Sequence, residues 1–228
     1  MKTSRILSAT AAALLLAAST ARSETLEDVL AHMDRGAREF RALSAKMKRV
    51  QYTAVIDEKS ETEGIIRLRR AKNGTTGVLE FQGAEQRTVF IAGKNIQIYY
   101  PKANSVEIYD ASKYVSNIDQ FLLLGFGTSS AELRQSYGLK VLGSETLAGA
   151  PAMRLELTPK SVEVKKLISK IELWIPEGQS NPIQEKVTEP SKNYELVTYS
   201  AIQVNPNLPD SAFDLKLPAG VKKIYPQK

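Results

Sequence analysis

Few residues in this chain have the type and spacing to do chemistry. His32 is the only histidine among 228 residues, and there is no cysteine. A lone histidine without a partner pattern reads as a surface side chain rather than a general base. The lack of Cys removes disulfides, thiol nucleophiles and thiolate metal sites, and one His leaves no metal-ligand spacing. Ser144 stands in Gly143-Ser144-Glu145, which is not a nucleophile elbow. Gly125-Phe126-Gly127 before Ser129 lacks the further glycine and the lysine of a phosphate loop. The carboxylates are scattered along turns, with no pair set apart for acid/base work. An enzyme reading therefore has nothing to stand on, and no metal or cofactor is expected.

Two basic features have more than one use. Arg70 ends a strand face shared with Ile66 and Leu68. Its guanidinium offers five donors in a fixed fork, suited to the carbonyls of a covering segment or to a polar head group. A solvated strand end beside Arg69 and Lys72 fits the same pattern. Lys46, Lys48, Arg49, Arg67 and Arg69 form a wider basic group that faces either an acidic partner or simply water.

These residues must be positioned around Ile118-Asp119-Gln120-Phe121-Leu122-Leu123-Leu124-Gly125-Phe126-Gly127. This is the most apolar stretch after the N-terminal leader. It is too short to span a bilayer. Four consecutive large apolar side chains, Phe121 to Leu124, make a helix that needs cover on more than one side. Two arrangements satisfy that need: a segment lying over the concave face of a curved sheet, or an ordinary core helix.

The leader has Lys2 and Arg5, then the apolar run Ile6 to Ala18, then small residues suited to cleavage near Ala21 to Ser23. Residues 1–23 read as a signal peptide and 24–228 as one domain. Of the formal charge of +6, Lys2, Arg5 and Arg22 supply three, and the remainder is too mild to argue for nucleic acid. The fractions of hydrophobic (43%) and charged (25%) residues are those of a globular domain, so disorder is not expected.

Thr25 with Asp28 resembles a capping box that opens a helix whose apolar stripe is Leu26, Val29, Leu30, Met33, Ala37 and Phe40. Short strands follow. In Leu43 to Ile56 the apolar phase moves from Leu43, Ala45 and Met47 to Val50, Tyr52 and Ala54, which predicts a bulge or a strong twist. Asp57 to Glu63 reads as a turn and Gly64 to Arg70 as the second strand. Gly77 to Gln82, Thr88 to Ala92, Asn95 to Tyr100 and Val106 to Tyr109 complete a meander. Helical structure is expected from about Ser112 to Tyr137, its second half capped by Ser129 with Glu132. Strands resume at Leu139 to Leu147, Ala152 to Thr158, Lys170 to Ile175, Ile183 to Glu189 and Tyr194 to Val204. The two prolines between Asn205 and Pro209 exclude a central strand there. The fold class is α+β: an unclosed, half-barrel antiparallel sheet of about 11 strands with helices covering its concave face.

That order of elements is similar to the periplasmic outer-membrane lipoprotein carriers, the LolA-like members of the LolA/LolB-type lipoprotein-sorting superfamily. The resemblance rests on Gly64-Ile65-Ile66-Arg67-Leu68-Arg69-Arg70, on Val89-Phe90-Ile91-Ala92-Gly93-Lys94-Asn95-Ile96 with Tyr100-Pro101, on the apolar middle segment, on Leu155-Glu156-Leu157-Thr158-Pro159-Lys160, and on Phe213 to Pro218 with Gly220-Val221. It implies a periplasmic carrier that holds acyl chains in an apolar cavity. It further implies cargo of acylated lipoprotein or lipid, an inner-membrane ABC-type release complex and an outer-membrane acceptor as partners, and a monomer. The family's basic latch at the end of the second strand matches Arg70, although Ala71 stands where the family usually has Pro, and Trp174 is the only tryptophan. Cargo identity stays open, because divergent members bind other lipids or sense envelope stress. The expected cavity and lid residues are Ile66, Leu68, Arg70, Leu79, Phe81, Phe90, Ile96, Ile98, Phe121, Leu122, Leu124, Leu155 and Leu157, with Met153, Leu173 and Val187 as further candidates. The residues alone favour a filled core, and it is the resemblance that favours a cavity. A sensor or scaffold of the same fold is the first rival to a carrier, and an envelope-lipid enzyme the second.

Overall fold

The computed structural model describes residues 24–72, 74–112 and 123–226. The leader, Asn73, and the stretch 113–122 with Phe121 and Leu122 lie outside the described residues.

Helix α1 (Leu26–Glu39) starts at Thr25, whose hydroxyl accepts from Asp28 N while the Asp28 carboxylate takes the Thr25 N–H. Val29, Leu30, Met33 and Ala37 are its buried stripe. The strands are β1 (Ala42–Thr53), β2 (Glu58–Ala71), β3 (Gly74–Phe81), β4 (Arg87–Ala92), β5 (Asn95–Tyr100) and β6 (Ser105–Asp110), then β7 (Tyr137–Leu147), β8 (Ala150–Pro159), β9 (Lys170–Pro176), β10 (Gln184–Thr188), β11 (Tyr194–Val204) and β12 (Lys222–Ile224). Helix α2 (Ser130–Ser136) precedes β7, and the single turn α3 (Val162–Lys165) lies between β8 and β9.

All twelve strands form one sheet in the order β12-β6-β5-β4-β3-β2-β1-β11-β10-β9-β8-β7. Every pairing is antiparallel except that of β12 with β6. The ends of the sheet, β12 and β7, do not pair, so the barrel is not closed. This is the expected architecture, with the short parallel β12 in addition. Among the described residues no helix is long and apolar enough to cross a membrane.

The expected bulge lies elsewhere. Ser44 pairs with Gln203 and Lys46 with Ser200, so the extra residue belongs to β11, where Ala201 has φ +49°. In β1 the inward phase runs unbroken through Leu43, Ala45, Met47 and Arg49, and the apparent flip reflects one buried arginine. Asp57 to Glu63 is mostly strand rather than turn. Glu58 to Glu63 pair in register with Lys48 to Thr53, and cross-strand pairs such as Lys48 with Glu61 (2.7 Å) hold this polar half of the hairpin together. Phe213 leads into no strand: it closes a 3-10 turn, Asp210–Phe213, and is buried under the Arg69 guanidinium, 4.4 Å from the ring centroid.

The concave face carries two apolar clusters. One joins Val29, Leu30 and Met33 of α1 and Leu133 of α2 to Leu155, Leu157, Ile171, Leu173 and Ile175 of β8 and β9. The other joins Leu43, Ala45, Met47, Ile66, Leu68 and Phe81 to Phe40, Leu123 and Phe126. The turn Leu123 to Gly127 belongs to both, since Leu124 is in the first cluster and Leu123 and Phe126 are in the second.

Candidate functional site

The apolar turn covering the sheet is held by its own backbone. Phe126 N and Gly127 N both donate to Leu123 O at 2.9 Å, as does the Thr128 hydroxyl. Gly125, at φ +79°, sends the chain back on itself in a conformation that side chains resist. Ser129 then caps α2, its side chain accepting from Glu132 N. Ser130 N and Oγ both donate to the Asp34 carboxylate at 2.7 Å, which locks α2 to α1.

Arg70 closes this cover against the sheet. Its guanidinium donates to Gly127 O at 2.7 Å and to Ala37 O at 3.2 Å. One side chain thus ties the turn, the end of α1 and the end of β2 together. Arg70 remains exposed, so water can compete for both bonds.

Beneath the turn lies a hollow of about 90 Å³. Ile66, Leu79, Phe81, Leu124 and Val187 line it, together with Met47, Phe126 and Val197. Phe126 meets Tyr199 edge to face, ring centroids 5.1 Å apart. The other expected residues are placed differently. Leu68 is fully buried in the cluster under Leu123 and Phe126, outside the lining. Ile96 and Ile98 share the concave face, opposite Ile91 and Val89, and are half-buried beyond the hollow. Phe90 pairs with Gln97 and Val78, which puts it on the convex face; period-two alternation cannot place Phe90 and Ile96 on one side across this hairpin. Leu155 and Leu157, with Met153 and Leu173, are packed solid beneath α1 and do not reach the hollow. Phe121 and Leu122 lie outside the described residues.

The hollow also has polar walls that sequence reasoning missed. Arg49, Glu185, Glu195 and Tyr199 line it. Arg49 is 8% exposed and Glu185 7%. Arg49 donates to Glu85 at 3.0 Å and Glu195 at 3.4 Å, and lies 5.0 Å from the Phe81 ring centroid. Its Nε–H has no hydrogen-bond partner. Arg87 reaches the same Glu85 carboxylate at 3.1 Å, and its hydrogen bond is the main reason the Glu85 carboxyl sits below its ordinary range. Burial, reinforced by the charge of Glu195, pushes Glu185 up to about 8, so this carboxyl is protonated at neutral pH. Burial likewise raises the half-buried Glu195, against the pull of Arg49 and Arg87. Tyr199 donates weakly to Glu185 at 3.4 Å. The signal for Arg49 was its parity with Met47 in β1. Nothing local marked Glu185.

The rest of the basic group faces outward or is paired. Lys46 and Lys48 are exposed, Arg67 meets Glu80 at 2.9 Å, and Arg69 meets Asp210. His32 lies beside Glu24 at 3.8 Å, away from the hollow. Among the described residues, no group of three or more His, Cys, Asp or Glu side chains is placed to hold a metal ion.

No family model matches the sequence, and no curated protein does. Solved structures do share the fold. A conserved protein of uncharacterised function from Thermus thermophilus superposes with a TM-score of 0.56 and 12% identity, over 87% of this chain and 98% of that one. MucB superposes with a TM-score of 0.51 and 14% identity over 83% of this chain, which spans 62% of MucB. A LolA superfamily protein from Nitrosomonas europaea is 11% identical over 85% of this chain and 99% of that one, at a TM-score of 0.40. At these identities the likeness to the first two is one of fold.

Proposed function

We propose that this chain is a periplasmic carrier that binds the acyl chains of lipoproteins, or other lipids, beneath the Leu123–Gly127 turn and shuttles them toward the outer membrane. The observation that carries the reading is the hollow itself: an apolar space on the concave face, roofed by a turn that one exposed arginine holds down. The need for such a protein follows from magnitude. At roughly 0.8 kcal/mol per buried CH₂, an acyl chain has on the order of 10 kcal/mol of aversion to water. A cavity must return most of that and still let the chain go, which a movable cover allows and a solid core does not.

The closed hollow is smaller than its cargo. A cavity of about 150 Å³ takes one benzene, and an acyl chain has many more carbons than that. The about 90 Å³ here must therefore enlarge by displacement of Leu124 and Phe126. No covalent step is part of this reading. In it, residues 1–23 direct export and are removed, and an inner-membrane ABC-type complex and an outer-membrane acceptor load and unload the carrier.

The small closed volume favours a second reading, a lipid- or lipoprotein-binding sensor or scaffold of the same fold. Mass spectrometry of material co-purifying with the protein from the periplasm separates the two. Stoichiometric acyl lipid or lipoprotein is the expected result. An empty protein co-purifying with a membrane-bound signalling partner would support the sensor, and a chemically altered lipid would support an enzyme.

A further inference from the structure

The hollow is apolar at one end and polar at the other. Toward the cover it is walled by Leu124, Phe126 and Ile66. One row further along the strands, Val197 of β11 pairs with Arg49 on one side and Glu185 on the other. Two buried polar side chains thus flank one small apolar residue, their backbones about 10 Å apart across three strands. A row of this kind on a concave face costs stability unless each polar atom finds a partner. Arg49 Nε–H has none.

We propose that Arg49 and Glu185 form a subsite for the uncharged carbonyl of an acyl ester or amide whose hydrocarbon chain lies beneath Leu124 and Phe126. This rests on the carrier reading and narrows its cargo. Arg49 Nε–H is a donor with no acceptor, and a carbonyl oxygen supplies one. Glu185, which is protonated at neutral pH and accepts from Tyr199 on one oxygen, has the other oxygen to donate from. The charge balance selects against an anionic head group. Arg49 already faces the Glu85 and Glu195 carboxylates, so a fatty-acid carboxylate would bring a third anion to one guanidinium. An ester or amide accepts both hydrogen bonds without adding charge.

The test compares three probes on the full-length mature chain by calorimetry: monopalmitoylglycerol, its ether analogue hexadecylglycerol, which has the same chain and head but no carbonyl, and palmitate. The ester is expected to bind roughly tenfold more tightly than the ether, the worth of a buried hydrogen bond to a charged donor, and more tightly than palmitate. Arg49→Lys keeps a cation for Glu85 and Glu195 but removes the Nε–H, and Glu185→Leu removes the second donor. Each should reduce the preference for ester over ether, Arg49→Lys the more because it removes the charged donor, while ether binding persists. The wild-type comparison decides the matter even where a variant folds poorly. Equal affinity for ester and ether, or tighter binding of palmitate than of ester, overturns the subsite and leaves the carrier intact. Failure of all three probes to bind overturns the carrier reading, and the subsite with it.

Discussion

Arg70 Nη2 lies 2.7 Å from the carbonyl oxygen of Gly127, a residue 57 positions further along the chain. The same guanidinium reaches Ala37 O at the end of α1 and lies 5.7 Å from the Phe40 ring centroid. One side chain that solvent can reach thus bonds the turn over the hollow to the end of α1.

Arg70→Leu should leave the fold intact and loosen the cover. Each lost bond is worth about 1 kcal/mol net, because water already competes at an exposed arginine. Amide exchange at Phe126 and Gly127 should quicken several-fold, and release of a bound acyl probe should quicken with it. Unchanged release kinetics would remove Arg70 from control of the cargo.

The two glycines of the turn should respond differently to alanine. At Gly125 a Cβ would sit 2.6 Å from the Pro182 ring on a backbone at φ +79°, and strain of this kind costs about 1–3 kcal/mol. At Gly127, on a backbone without that strain, a Cβ would meet Phe40 at 3.0 Å and Arg70 Nη2 at 3.3 Å, contacts that must give by a few tenths of an ångström. Gly125→Ala should lower Tm clearly, whereas Gly127→Ala should chiefly loosen the Arg70 contact and speed probe release. Equal Tm losses would contradict the described turn.

Leu155 and Leu79 separate core from hollow. Leu155 is fully buried beneath α1, and Leu155→Ala should cost about 2–5 kcal/mol in denaturant unfolding. It should leave acyl-probe affinity nearly unchanged. Leu79 lines the hollow and is half-buried, so Leu79→Ala should cost less stability and change the affinity more. The reverse order would place the lipid under α1 instead.

Stability should fall with rising pH across the neutral range. Glu185 is raised in the folded protein from 4.5 to about 8. The folded state therefore keeps a proton that the unfolded state loses, and the stabilisation is complete below about pH 4.5 and lost as pH rises toward 8. One such group gives a slope of at most about 1.4 kcal/mol per pH unit. The raised Glu195 acts in the same sense, with Arg49 and Arg87 pulling it the other way, and Tyr199 and Tyr137 also feel Glu185. Urea midpoints at pH 5, 7 and 9 should decline in wild type and flatten in Glu185→Gln. A flat wild-type profile would show that Glu185 titrates normally.

What the sequence determined by itself was local. Helix α1, both capping boxes, the span of β11 and the order of strands follow from spacing and turn chemistry within a dozen residues. So does the inward position of Arg70, which continues the parity of Ile66 and Leu68; its reading as a latch comes from the family resemblance. Tertiary structure decided which apolar residues face empty space. Leu155 and Leu79 have the same side chain and the same inward parity, and only the placement of α1 makes one core and the other wall. It also decided that Arg49 turns inward. A buried cation needs acceptors, and here they come from Glu85 and Glu195, 36 and 146 positions away, the latter on β11, which becomes a neighbour of β1 only through the long-range pairing of the sheet.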